Sequence, residues 1–325
     1  MGNRTLGRGA GRFRKEGMTG KICGILRQSG AVAIGVAKAA PVEEEVWRAY
    51  LDWLSRKGHA GMAYMENHSS IRRDPRLLLE DAKSIISLAF PFKPAAFREP
   101  EKGMIACYAY GLDYHDAIRI RLSKTLEKVK EEFGGEYRIC IDSAPIMERY
   151  WAVKAGIGEI GDNGAVIVPG AGNMVFLAEI ITTLDLNPNV NITNLDLCLH
   201  CGKCLNECPA NALRRDGTVD SARCLSYLTI EHRGAWSESE AIAAMNTDAG
   251  KNIIFGCDLC LRECPLNYDT PHTAIQEFHP LKGIMELNKE GVAGLEQEDF
   301  SRIFKGSPIK RCKLSGLKRN IGENI

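Results

Sequence analysis

The sequence predicts an α+β protein: a mixed body of strands and helices, a small cysteine-rich unit after it, and a basic C-terminal segment. Three observations carry that expectation. Apolar patterns of strand and helix period interleave from about residue 22 to 190. Eight of the twelve cysteines fall between residues 198 and 264. Hydrophobic residues are 45% and charged residues 26% of the chain, which excludes collagen-like, mucin-like and wholly disordered classes. A length of 325 residues allows one large domain or two ordinary ones, with a sizeable core.

Residues 1–21 read as a flexible basic leader, with Met18 as an alternative start. AVAIGVA (31–37) is apolar and reads as a strand. EEEVWRAYLDWLSRKG (43–58) follows as an amphipathic helix, opened by acids and closed by Arg56, Lys57 and Gly58. SIISLAF (84–90) is a buried strand ended by Pro91. In 113–135, Ile118, Leu122, Leu126, Val129 and Phe133 recur at helical spacing. YRICID (137–142) reads as a strand; AVIVP (165–169) and MVFLAEIITTL (174–184) read as further strands or buried segments. The body's bounds are 22–190, the cysteine-rich domain spans 191–270, and 271–325 is a basic, partly helical tail.

Charge and hydropathy remove several classes. With 42 basic and 41 acidic residues the net charge is +1, so global charge gives no case for nucleic-acid binding. Its distribution is uneven: Arg4 to Lys21 and Lys305 to Arg319 are two basic runs. Each is either a phosphate-binding patch or a solvated surface. No apolar run reaches the roughly 18 residues that cross a bilayer; Met174–Leu186 is interrupted by Glu179 and Asp185. The N-terminus lacks the apolar core of a secretory signal, and the expected compartment is the cytoplasm.

The cysteines carry the chemistry. Cys198, Cys201, Cys204 and Cys208-Pro209 form a C-x2-C-x2-C-x3-C-P run, the spacing of bacterial ferredoxins. In that pattern the fourth cysteine ligates the other cluster. One [4Fe–4S] cluster then takes Cys198, Cys201, Cys204 and Cys264. The other takes Cys208, Cys257, Cys260 and Cys224, because Arg262 and Glu263 stand where a third closely spaced cysteine would be. Eight ligands serve two clusters with no remainder. Structural zinc also uses C-x2-C pairs, but seldom within such a run. Cys23, Cys107, Cys140 and Cys312 are scattered and read as small buried residues.

Two clusters make a short electron path, which needs an acceptor in the body. No G-x-G-x-x-G follows a strand and no P-loop is present, so a nucleotide site is unsupported. GIGEIGDNG (156–164) reads as a tight turn against something flat or bulky. Just before it, DSAPIMERYWAVKAG (142–156) places Asp142 at a strand end, with Glu148, Arg149 and Trp151 on a following helix. An acid there is either a helix N-cap or, desolvated beside a cofactor, a proton donor with a raised pKa.

These residues resemble a known family, the cobalamin-dependent epoxyqueuosine reductases, which are related to corrinoid reductive dehalogenases. The resemblance runs from about residue 30 to 320. Its most specific pieces are RRDPRLLLEDAKSIISLAFPF (72–92), YAYGLDYH (108–115), DSAPIMERYWAVKAGIGEIGDNG (142–164), RCLSYLTIEHRG (223–234), IFGCDLCLRECPLN (254–267) and FKGSPIKRCKLSGLKRN (304–320). It implies a nitroreductase-like corrinoid-binding body followed by a ferredoxin-like double [4Fe–4S] domain. Cobalamin would bind without a protein histidine on cobalt, in keeping with the absence of Asp-x-His-x-x-Gly. Asp142 matches the catalytic proton donor and Arg149 a cobalamin-contacting arginine. Tyr108, Asn163, Ser226, Cys257 and Asp258 match positions beside the cofactor or the nearer cluster.

The implied reaction is two-electron removal of the epoxide oxygen of epoxyqueuosine, giving queuosine. The base would sit in a tRNA anticodon loop, with the basic run at Lys305 to Arg319 on phosphates. An external electron donor such as a flavodoxin or ferredoxin would feed the first cluster, and the protein is expected to act as a monomer. Three positions depart from the family. The chain ends at Ile325, where many members begin a helical-repeat domain. Asp162 stands where lysine is usual, and Glu159 where tryptophan is usual. Both read as lying at the cofactor or substrate edge. Two alternatives follow: a paralogue reducing a small molecule, and an electron-transfer partner with no substrate of its own.

Overall fold

A computed structural model describes residues 17–188 and 196–322. The leader over 1–16 and the first residues of the cysteine-rich unit lie outside that range. The strands are β1 (Ala33–Lys38), β2 (Ser84–Pro91), β3 (Met104–Ile105), β4 (Tyr137–Cys140), β5 (Glu159–Ile160), β6 (Val166–Ile167), β7 (Val175–Thr182) and β8 (Ile253–Phe255). The body is built on an antiparallel sheet ordered β1-β2-β7-β4.

Every residue of β2 is buried. A continuous apolar run such as SIISLAF suits a strand covered on both faces. The helix Tyr114–Phe133 buries Ile118, Leu122, Leu126 and Val129, each contributing roughly 1.5–3 kcal/mol. Asp113 caps it by accepting the His115 N–H at 3.0 Å, and Gly134 ends it at φ +67°. The short helix Glu148–Lys154 packs against β1, β2 and β7. Its C-terminal end comes so close that a Cβ on Gly35 would lie 2.0 Å from the Ala155 carbonyl. Only glycine fits there.

Most expected elements form near their expected bounds, and two readings change. The AVIVP segment is buried, as expected, and pairs as β6 with β5. The leader ends earlier, because Met18–Arg27 is a helix that buries Ile22, Cys23 and Leu26. The C-terminal segment is not a tail. Ile275, Phe278, Ile284, Val292, Phe300, Phe304, Ile309 and Leu317 belong to the same core as Ile22 and Leu88. The body and the cysteine-rich unit also share structure, since β3 pairs with β8 in parallel. Lys93 Nζ ties them further by donating to the carbonyls of Asn267, Tyr268 and Thr270. No helix among the described residues is long and apolar enough to cross a membrane.

Candidate active site and metal centres

The chain end of β4 delivers Asp142 in the left-handed region, at φ +52°. This conformation is uncommon for a residue with a side chain. Asp142 caps no helix: the residue before the helix Glu148–Lys154 is Met147. The backbone N–H of Asp142 donates to Glu148 Oε1 at 2.5 Å. Its side chain is 60% exposed. Tyr114 Oη donates to Oδ2 at 2.5 Å, and His115 Nε2 lies 3.5 Å from the same oxygen. The other ring nitrogen of His115 binds Asp113 Oδ1 at 2.7 Å.

These partners decide where the protons are. Burial raises the proton affinity of Asp142, but the hydrogen bonds from His115 and Tyr114 outweigh it and hold the carboxyl below its ordinary range. Burial works against the His115 cation, and its two carboxylate partners overcome that, raising the imidazole to about 9. Glu148 is pushed up to about 8, first by burial and then by the neighbouring Asp142 carboxylate. The expectation of a raised Asp142 is therefore reversed in this structure. Desolvation acts as foreseen, but two donors facing one oxygen exceed it. At neutral pH Asp142 is the base of the group, while His115 and Glu148 carry protons.

The wall beside this group is aromatic. Tyr114 stacks on Phe176 with ring centroids 4.2 Å apart, and Tyr108 meets Tyr114 edge-on at 6.1 Å. Tyr108 feels the Asp142 charge, although burial contributes more to its raised pKa. Tyr64 and Arg311, from distant parts of the chain, also act on or feel Asp142. Arg311 grips Glu231 through two bonds of 2.9 and 3.0 Å.

An open cleft of about 560 Å³ is lined by Arg149, Asn163, Gly164, Asn173, Val175 and Leu177 among others. Arg149 NH1 donates to the Gly164 carbonyl at 2.6 Å. Gly164 itself has φ +75°, and a Cβ there would meet the Gly217 carbonyl at 2.8 Å. Asn163 Oδ1 accepts the Ala165 N–H, and its Nδ2 reaches the Cys260 carbonyl at 3.3 Å. The cleft thus joins a cation, an amide and apolar β7 side chains.

The cysteines gather in two sets. Cys204 lies within electrostatic reach of Cys198 and Cys264, and Cys264 within reach of Cys198 and Cys201. Cys257 and Cys260 both feel Cys208 and Cys224. Cys198, Cys201, Cys204 and Cys264 line one cavity. Backbone N–H groups turn toward the sulfurs: Ala212 donates to Cys208 Sγ at 3.2 Å, and Ser226 and Tyr227 donate to Cys224. Such donors stabilise negative charge on ligating sulfur. Asn173 Nδ2 is buried without an oxygen partner and faces Cys264. All-sulfur donor sets with N–H donors fit iron–sulfur clusters. Cys23, Cys107, Cys140 and Cys312 are 1–5% exposed, as small core residues should be.

The remaining expected residues divide. Ser226 sits beside the second set through its bond to Cys224. Asp258 is buried and accepts the Cys107 N–H at 2.7 Å, so it braces the Tyr108 segment against the Cys257 turn. Glu159 Oε2 accepts the Leu197 N–H at 3.2 Å, and Asp162 Oδ1 binds His200 Nδ1 at 2.8 Å. Both reach the segment carrying Cys198. Sequence reasoning missed Tyr114, His115, Tyr64 and Arg311 as neighbours of Asp142, although Tyr114 and His115 lay within the quoted motif YAYGLDYH and Arg311 within FKGSPIKRCKLSGLKRN.

Comparison with known proteins agrees with this geometry. Residues 72–143 match the family model described as Epoxyqueuosine reductase QueG, DUF1730. Residues 197–267 match a 4Fe-4S double cluster binding domain. The chain is 40% identical over 291 residues to the epoxyqueuosine reductase of Cyclobacterium marinum, covering 88% of this chain and 90% of that protein. It is 35% identical over 302 residues to that of Gloeobacter violaceus, covering 90% and 91%. A crystal structure of epoxyqueuosine reductase with a tRNA-Tyr epoxyqueuosine-modified stem loop superposes with a TM-score of 0.82 at 26% identity, covering 93% of this chain and 79% of that one. The Streptococcus thermophilus enzyme gives 0.77 at 27% identity over the same shares.

Proposed function

The chain belongs to the epoxyqueuosine reductase family, and on that premise we propose that it reduces epoxyqueuosine to queuosine in a tRNA anticodon loop, with cobalamin and two [4Fe–4S] clusters. It is an oxidoreductase with a double-cluster domain. The observation that carries the finer reading is the exposed Asp142 carboxylate, whose Oδ2 takes the Tyr114 hydroxyl and lies 3.5 Å from His115 Nε2.

Converting an epoxide to an alkene and water consumes two electrons and two protons. A corrinoid in the cleft would supply a strongly nucleophilic, reducing metal, and the clusters would supply electrons. The chain supplies the protons. His115 and Glu148 hold them at neutral pH. A bulky group bound over the exposed face of Asp142 would strip its water and raise its affinity for a proton. The proton on His115 Nε2, 3.5 Å away, would then move to Asp142 and on to the departing oxygen. Arg149 and Asn163 would hold the cofactor edge, and Tyr108 with Tyr114 would keep bulk water from the aromatic wall.

The protonated forms do this work, so activity is present below their pKa values and lost above them. Turnover is expected to fall as pH rises through about 8 and again near about 9. In Glu148→Gln the lower limb disappears and the fall begins near the His115 value. A pH–rate profile of both proteins checks this; identical profiles contradict the role given to Glu148.

The tRNA reading predicts a salt effect. Lys305, Lys310 and Lys313 are exposed, whereas Arg319 is spent on the carbonyls of His232, Gly234 and Leu228. Replacing each of the three lysines with alanine should weaken stem-loop binding and lower the slope of log affinity against log salt by roughly one per residue. An unchanged slope places the phosphates elsewhere. The proposal as a whole is tested by turnover. Anaerobic protein with reconstituted clusters, cobalamin and a strong reductant should convert a stem-loop bearing epoxyqueuosine to the queuosine form, read by nucleoside mass spectrometry. Unconverted substrate with all cofactors loaded overturns it.

A further inference from the structure

The turn Glu159–Gly164 holds the two acidic residues at which the sequence departs from its family. Asp162 is 7% exposed and lines the cavity shared by Cys198, Cys201, Cys204 and Cys264. Its Oδ1 meets His200 Nδ1 at 2.8 Å. A carboxylate can only accept, so Nδ1 donates, and the ring, 62% exposed, points the rest of itself outward. One residue to the N-terminal side of Cys198, the Leu197 N–H donates to Glu159 Oε2 at 3.2 Å. Two carboxylates thus grip the loop on either side of Cys198. The Asp162 charge also acts on Cys204. The same turn continues into Asn163, bonded to the Cys260 carbonyl, and Gly164, bonded to Arg149. It is the one place among the described residues where both cysteine sets and the cleft meet a single loop.

We propose that Asp162 is a positioning residue for the first cluster: with Glu159 it fixes the Cys198 segment to the turn, and its carboxylate holds that cluster's reduction potential down. This rests on the reading that Cys198, Cys201, Cys204 and Cys264 bind a cluster. The physical basis is that reduction adds negative charge, and a buried carboxylate beside the cluster opposes it. Cluster potentials respond to net charge and to hydrogen bonding at sulfur. A low potential at the first cluster keeps electron flow directed inward to the second.

The test is a redox titration of the fully reconstituted protein, following each cluster by electron paramagnetic resonance. Asp162→Asn should raise the first midpoint enough to change the reduced-to-oxidised ratio at a fixed potential by about tenfold, which is 59 mV for one electron. Asp162→Lys should raise it further, and the second cluster should stay where it is. If Asp162→Asn loads only the second cluster, Asp162→Glu, which keeps charge and acceptor, should restore the first. A first midpoint unmoved in both the Asn and Lys proteins, or no rescue by Glu, overturns the proposal. Wild-type protein with no cluster at the first set is a different outcome, and it sinks the cluster reading itself.

Discussion

Asp142→Asn is expected to lower turnover by about 10²- to 10⁴-fold, the usual worth of a positioned proton-transfer group, while both clusters load and reduce normally. The reason is specific to the hydrogen bonds. Asp142 Oδ2 takes the Tyr114 hydroxyl and faces His115 Nε2. An amide oxygen can still accept from Tyr114, so the local fold is kept. An amide cannot receive a proton from His115 and pass it on. The partners shift too: without the carboxylate, His115 keeps only Asp113 as an anionic partner, and its pKa should drop toward the ordinary imidazole range. The check is paired measurement of turnover and of cluster reduction in the same preparation. A variant that turns over normally contradicts the proton path.

Cys224→Ala is the second large effect. Cys224 precedes the helix Leu225–Ile230 and joins Cys208, Cys257 and Cys260 across a long sequence gap. Outer-sphere changes at metal sites cost roughly 10- to 100-fold in affinity, and loss of a ligand should cost more. The second cluster is expected to be lost, turnover to fall to background, and the first cluster's signal to remain. Iron analysis and electron paramagnetic resonance read this directly. Two full clusters in Cys224→Ala would show that the fourth ligand of the second set is some other group.

How much of this was legible in the sequence depended on the range of each interaction. The cysteine pattern was readable because Cys198, Cys201 and Cys204 lie within one short loop; Cys257 and Cys260 lack a third close neighbour, and counting pointed to Cys224. Strands such as SIISLAF and the helix after Asp113 were readable because local period and capping specify them. The Asp142 environment was not. His115 and Asp142 are brought together by packing the start of one helix beside the end of a strand. Burial at Asp142 was foreseeable, but the donors that reverse its effect were not. The same holds for Asp162, whose partner His200 is 38 residues away in the chain. The C-terminal segment was misread as a tail because its apolar residues are spread over short turns and short helices with no sustained period. Its basic residues drew attention, yet Arg311 and Arg319 are bound to protein groups.

The account's central claim is that the site at Asp142 removes the epoxide oxygen. The most direct measurement compares wild type and Asp142→Asn, each with cobalamin and both clusters loaded, on one epoxyqueuosine-bearing anticodon stem-loop under a strong reductant. Nucleoside mass spectrometry should show loss of one oxygen from the modified base with the wild type and almost none with the variant. Equal conversion by both would contradict the claim, and would place the chemistry away from Asp142.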